Sequence, residues 1–195
     1  AWTVATSLGS MDGAVGGSNG GLYSWNPLGG FAARIYSQQM PPWQTEKFDA
    51  QEVSNIMKTA AQFYGASLAG IAEVDERWFY SKRYTKGGTS TQEPGLSADI
   101  LYTDEYDTAQ ELEDGTLVIP KSMKYVISLA FEMDYDGMQT YLSGPGSAAT
   151  GNGYSRMSFT AGCLAEMIRA LGYQAVPSGN CTAMSVAVAV DAGLG

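Results

Sequence analysis

The 195-residue chain contains no histidine and only two cysteines. Without an imidazole, Ser-His-Asp and Cys-His catalysis and His-ligated metal sites are closed to these residues. Cys163 and Cys181 stand too far apart for a CxxC motif. Two thiols alone cannot hold an iron–sulfur cluster or a closed zinc site, so both read as small buried apolar groups and no metal site is expected. Proton transfer must fall to Tyr, Lys, Cys or a carboxylate. Positive charge is scarce as well. Eleven basic residues against twenty acidic ones give a net charge of −9, which repels phosphate backbones and anionic lipid and argues against nucleic acid as a partner. No apolar run approaches the roughly 20 residues that span a bilayer. The first residues carry neither a basic n-region nor an apolar h-region. If the protein is exported or anchored, the responsible segment is expected outside this chain.

What is present suffices for one substantial core, since 45% of the residues are hydrophobic. Residues 1–43 are rich in Gly and Ser with scattered aromatics and no sustained period, and read as irregular coil. Within them "GAVGGSNGG" (13–21) lacks the P-loop lysine and a preceding strand, so a flexible loop is expected there. Asp49 then fits a helix N-cap. Val53, Ile56, Met57, Ala60, Phe63 and Tyr64 follow at helical spacing, and Gly65 ends the element. "SLAGIAEVD" reads as a strand. From Ser81 to Lys121 the chain turns polar, Gly/Thr-rich and acidic, which predicts an insertion with a solvated face. Its carboxylates Asp104, Glu105, Asp107, Glu111, Glu113 and Asp114 do not match the spacing of a calcium loop. "KYVISLAFEMD" (124–134) has the length and the β-branched and aromatic content of a buried strand.

The last forty residues hold the densest pattern. Met157, Ala161, Leu164, Ala165, Ile168 and Leu171 form one apolar helical stripe from a helix read as starting near Tyr154, and Gly172 sits where a C′ glycine belongs. Tyr154 lies one turn before Met157, so its ring is expected on the same face; from spacing alone it reads as a buried tyrosine with a bonded hydroxyl. "YQAVPSGN" predicts a short strand ending in a Pro-Ser-Gly-Asn turn that exposes the Asn180 amide. "SVAVAVDAGLG" alternates as a strand does, yet its alanines suit a helix, and periodicity leaves both open.

Taken together, "GYSRM", "EMIRALGYQAVPSGN", "SVAVAVDAGLG" and, earlier, "GASLAGIAEVDERWFYS" resemble the corrinoid-dependent reductive dehalogenases of organohalide-respiring bacteria. The resemblance spans residues 44–80 and 122–195 around the insertion at 81–121, and is weak over 1–43. It implies an α/β (α+β) core like that of flavin nitroreductases and vitamin B12-processing proteins, with the final run as helix. It also implies that the chain is the front, corrinoid-binding part of a longer enzyme. A conserved arginine and the cysteine motifs for two [4Fe-4S] clusters would follow Gly195.

The same resemblance implies a cobalt corrinoid bound with its lower base displaced, and reduction of a small halogenated organic substrate with two electrons and one proton. By motif position Tyr154 is the proton donor, and Asn180 the amide that orients substrate or stabilises the phenolate. A phenol's reference pKa is near 10, but a strongly basic carbanion-like intermediate can take its proton. Close approach of the macrocycle or its nucleotide tail is expected at Thr150, Ser178, Gly179, Met184, Ser185 and Gly193, where little side chain stands in the way. Tyr23, Trp25 and Phe31 are candidates for an apolar substrate wall. Export by the twin-arginine route, a place on the outer face of the cytoplasmic membrane beside a small membrane anchor protein, and a homodimer complete the expectation. Two other readings are a cytosolic epoxyqueuosine-reductase-like enzyme, which uses a carboxylate as acid, and a non-catalytic corrinoid-binding domain.

Overall fold

The computed structural model describes residues 49–84, 97–180 and 182–195. The first helix, α1 (Ala50–Phe63), begins where Asp49 accepts from the Gln51 amide at 3.1 Å, as an N-cap does. Its inward stripe of Val53, Met57, Ala60, Ala61 and Tyr64 faces the strand pair β1 (Leu68–Glu73) and β6 (Tyr125–Ala130). These two strands pair antiparallel, with Leu68 opposite Ala130 and Glu73 opposite Tyr125. β6 is half-buried rather than fully buried.

A long helix, α3 (Gly144–Ala170), packs against the same pair beside α1, and Leu164 joins Met57, Ala61 and Ala66 at the centre of this core. Polar side chains of α3 also finish α1. Thr160 Oγ1 donates to the Tyr64 carbonyl at 2.9 Å, and Arg156 reaches the Gly65 and Glu132 carbonyls, each at 3.0 Å. The Tyr64 and Gly65 carbonyls are acceptors that a helix end leaves open. Gly65, at φ +119°, makes the left-handed exit that glycine favours.

The helix starts ten residues before the expected position. Ser143 caps it, accepting from the Gly146 amide at 3.4 Å, and a proline occupies its first turn. The glycines of 144–153 hide this start from an apolar-period reading. They also permit close packing: a Cβ on Gly146 would lie 3.0 Å from the Thr140 carbonyl oxygen and one on Gly153 3.3 Å from Met133. The short helix α2 (Tyr135–Gln139) sits there, with Gly137 against Ala149.

A second sheet occupies the polar stretch. Its order is β2 (Lys82–Tyr84), β3 (Ser97–Thr103), β5 (Leu117–Pro120), β4 (Gln110–Glu111), with β3 and β5 parallel and the other pairs antiparallel. β5 is buried at all four residues, and Ile100, Leu117 and Ile119 form a core of their own. The solvated face expected for this stretch is therefore incomplete: "LVIP" is a continuous apolar run, too short to stand out among the carboxylates around it. The buried Arg83 guanidinium is held by Glu111 and the Gly115 carbonyl.

The strand expected at "YQAVPSGN" is absent; residues 173–179 run as irregular chain. A side chain replaces the ladder. Gln174 Nε2 donates to the Asp107 carbonyl at 2.7 Å, and its Oε1 accepts from the Ala109 amide at 3.1 Å. The final run is helix α4 (Ser185–Asp191), as the resemblance implies, closed by Gly193 at φ +76°. A 3₁₀ turn, Glu76–Trp78, clasps it at both ends. The Trp78 carbonyl accepts from the Met184 amide at 2.8 Å, and the Trp78 indole Nε1 donates to Asp191 Oδ2 at 2.5 Å. No helix among the described residues is long and apolar enough to cross a membrane.

The turn after α4 lies directly on β1. A Cβ on Gly70 would collide with the Ala192 carbonyl and come within 2.9 Å of Ala192 Cβ and 3.0 Å of Leu194. Gly70→Ala should therefore lower stability by about 1–3 kcal/mol, the usual cost of overpacking. Denaturant unfolding with unchanged slope checks it, and a midpoint equal to the parent's would contradict this packing.

Candidate active site

α3, β6, the segment 174–180 and the start of α4 enclose a cleft of about 270 Å³. Met157, Ala161, Leu164, Ala165 and Ile168 supply one wall from the predicted stripe, and Val126, Ile127 and Leu129 supply the floor. Ile119 and Met123 reach in from the second sheet. The opposite rim is polar, made by Ser178, Gly179, Asn180, Thr182 and Ser185.

Point contacts hold that rim. The Arg169 guanidinium pairs with Glu166 at 2.6 Å and donates to the Ala175 carbonyl at 2.8 Å, while Val176 packs on the core of the second sheet. A cation in the last turn of a helix is favourable in itself, which is the signal that could have singled out Arg169. Gln174 and Trp78 carry no such signal. Among the described residues, none gives a backbone hydrogen bond to Val176, Pro177 or Ser178.

Asn180 lines the cleft and meets Tyr154, which stands on α3 outside the lining. Tyr154 is half-buried one turn before Met157, and Asn180 Nδ2 donates to its hydroxyl oxygen at 3.4 Å. Ser185 Oγ donates to Asn180 Oδ1 at 2.9 Å. Three residues singled out in the sequence thus form one connected polar group. Ser178 and Gly179 lie beside it on the lining.

The remaining candidates lie apart from the lining. Thr150 is one turn before Tyr154, with its hydroxyl on the Gly146 carbonyl at 3.1 Å and Met138 Sδ at 3.7 Å. Met184 is half-exposed beside Trp78, and Gly193 has open space where a Cβ would stand. Tyr23, Trp25, Phe31 and Cys181, with the loop at 13–21, fall outside the described residues. Cys163 is half-buried on α3; burial pushes its thiol up, and the Glu166 carboxylate adds to the shift. Among the described residues no group of three or more acidic or thiol side chains is gathered as a metal site would need.

Comparison with known proteins makes this α/β chain a homologue of the reductive dehalogenases along nine-tenths of its length. Tetrachloroethene reductive dehalogenases of Desulfitobacterium hafniense and Dehalobacter restrictus are 35% identical over 189 residues, which cover 90% of this chain and 33% of each relative. That of Sulfurospirillum multivorans is 35% identical over 173 residues, 88% of this chain and 32% of the relative. The chain therefore spans about a third of the length of these relatives. The match is longer than the blocks 44–80 and 122–195 that carry the resemblance, so it takes in part of the remaining sequence. No family model matches.

Because the rim is fastened at points, losing one should free it. Arg169→Ala should cost about 1.5–3 kcal/mol, the worth of charged hydrogen bonds. It should also open 173–180 to limited proteolysis while leaving α1 uncut. Cleavage unchanged over 173–180 would mean that Gln174 and Val176 suffice.

Proposed function

We propose that this chain is the corrinoid-binding part of a reductive dehalogenase, in which Tyr154 delivers the proton that replaces halide on carbon. The observation that carries this reading is the approach of Asn180 Nδ2, on the rim of an apolar cleft, to the Tyr154 hydroxyl 3.4 Å away, in a homologue of enzymes named for dehalogenation. The nitroreductase-like core implied by the sequence motifs belongs to the same reading.

The residues present suit the cofactor. A corrinoid is an apolar macrocycle edged with amides. The cleft offers apolar walls from α3 and β6 and a rim whose backbone at Val176–Ser178 is not engaged by other described backbone. At about 270 Å³ the cleft is smaller than such a group, so these residues would receive one edge of it. Ser178 and Gly179 present little side chain there. Bound low-valent cobalt would supply the electrons for carbon–halogen cleavage. The net change is R–X + 2e⁻ + H⁺ → R–H + X⁻.

The chain's own part is the proton. Tyr154 Oη gives its hydrogen to the substrate carbon, and the oxygen left negative keeps the Asn180 Nδ2 donor beside it. The apolar walls would hold a halocarbon beside this rim. The [4Fe-4S] clusters that deliver electrons need more thiols than the two in this chain, and would rest on polypeptide beyond these residues. Export, a membrane anchor partner and a homodimer go with this reading. A tyrosine rather than a carboxylate in the acid position favours it over an epoxyqueuosine-type reaction.

Tetrachloroethene, named for the relatives, is the first substrate to try with the anaerobically prepared full-length holoenzyme. Tyr154→Phe keeps nearly the same ring volume and should retain cobalt while turnover per cobalt falls by about 10²–10⁴. Near-normal turnover in that variant would return Tyr154 to a packing role, and an active preparation free of cobalt would end the corrinoid assignment.

A further inference from the structure

We propose that Ser185 is a positioning residue, which sets the orientation of the Asn180 amide and through it keeps the Tyr154 proton free to leave; the inference rests on Tyr154 being the donor. The amide of Asn180 has unlike ends. Nδ2 faces the phenol oxygen at 3.4 Å and Oδ1 takes the Ser185 hydroxyl proton at 2.9 Å. Donation therefore runs in one sense, from Ser185 to Asn180 to Tyr154. No described residue accepts the phenol's own proton, so that proton remains available to a substrate.

Turned end for end, the amide would set Oδ1 against the phenol. The carbonyl would then hold the proton by accepting it, and no donor would face the oxygen after the proton has gone. The Ser185 hydroxyl would accept from Nδ2 and lose its present acceptor. Donation from Ser185 to Oδ1 is what the productive orientation uses, and it anchors the amide with Nδ2 toward the phenol.

Two features show that this hydroxyl is placed rather than incidental. Ser185 is the first residue of α4, one past the Met184 cap position, and its hydroxyl turns back five residues to Asn180. The backbone beneath it is fixed as well, since Trp78 holds the Met184 amide on one side of Ser185 and Asp191 at the far end of the helix. The hydrogen bond lies at an exposed rim, so its worth is in orientation more than in stability.

The test compares Ser185→Ala, Ser185→Thr, Asn180→Ala, the double Ser185→Ala/Asn180→Ala and Tyr154→Phe as full-length holoenzymes, reading kcat per cobalt, KM and cobalt per protein. Ser185→Ala should lower kcat about three- to tenfold, the range of one neutral hydrogen bond. KM and cobalt content should stay constant, and Ser185→Thr should restore the rate. In the Asn180→Ala background Ser185→Ala should cost nothing more, because its route is already cut. Loss of cobalt in Ser185→Ala would overturn the proposal in favour of a cofactor contact. An undiminished rate, an additive loss in the double variant, or no restoration by threonine would overturn it too. Tyr154→Phe separates the layers: near-normal turnover there removes the donor reading, whereas a large loss there beside an unaffected Ser185→Ala removes only the positioning role.

Discussion

One helix face carries two obligations, and the rest of the described structure follows from meeting both. The stripe of α3 must bury Leu164 against α1 and the β1–β6 pair, yet leave Ala161 and Met157 lining an open cleft one and two turns earlier. Burial of that stripe is non-directional and fixes only that the helix lies down. Its height along the pair is set by polar contacts, in which Arg156 and Thr160 grip the exit of α1. Tyr154, half a turn from Arg156, inherits its position beside Asn180 from that grip.

The opposite rim has no regular structure to hold it, and side chains take over. Arg169 draws in Ala175 from the helix end, Gln174 bonds the backbone at Asp107 and Ala109, and Val176 is packed on Ile119 and its neighbours. Two of these three fastenings belong to the second sheet. The polar stretch that looks separate in composition therefore supports the rim that carries Asn180, and its buried strand β5 has a part in shaping the cleft.

The elements legible in the sequence were those whose signal is local. Asp49 as a cap, the α3 stripe and most of the α1 stripe, Gly65 and Gly172 as helix exits and the two central strands follow from spacing and residue chemistry within a few positions, while Ile56 and Phe63, at helical spacing too, are exposed. Periodicity could not decide α4, because alternate Val and Ala satisfy both periods; the resemblance decided it. The early turns of α3 were missed because glycines carry no apolar pattern, although their buried positions make the contact with α2. The pairing of Tyr154 with Asn180 was legible as motif positions. The attachment of Ser185 to the amide was not, since it depends on where a tryptophan more than a hundred residues earlier holds the last helix.

A rim fastened at points has different freedom from one stitched along an edge. In a strand, a slip of one residue turns every side chain to the other face, so sequence change there is all or none. Between Gln174 and Asn180 there is no register to lose. Residues can be exchanged, and even inserted, while Arg169, Gln174 and Val176 keep their grips. Such an arrangement separates the inheritance of Tyr154 and Asn180 from that of the wall beside them, so the shape of the cleft can drift between lineages without unseating Asn180.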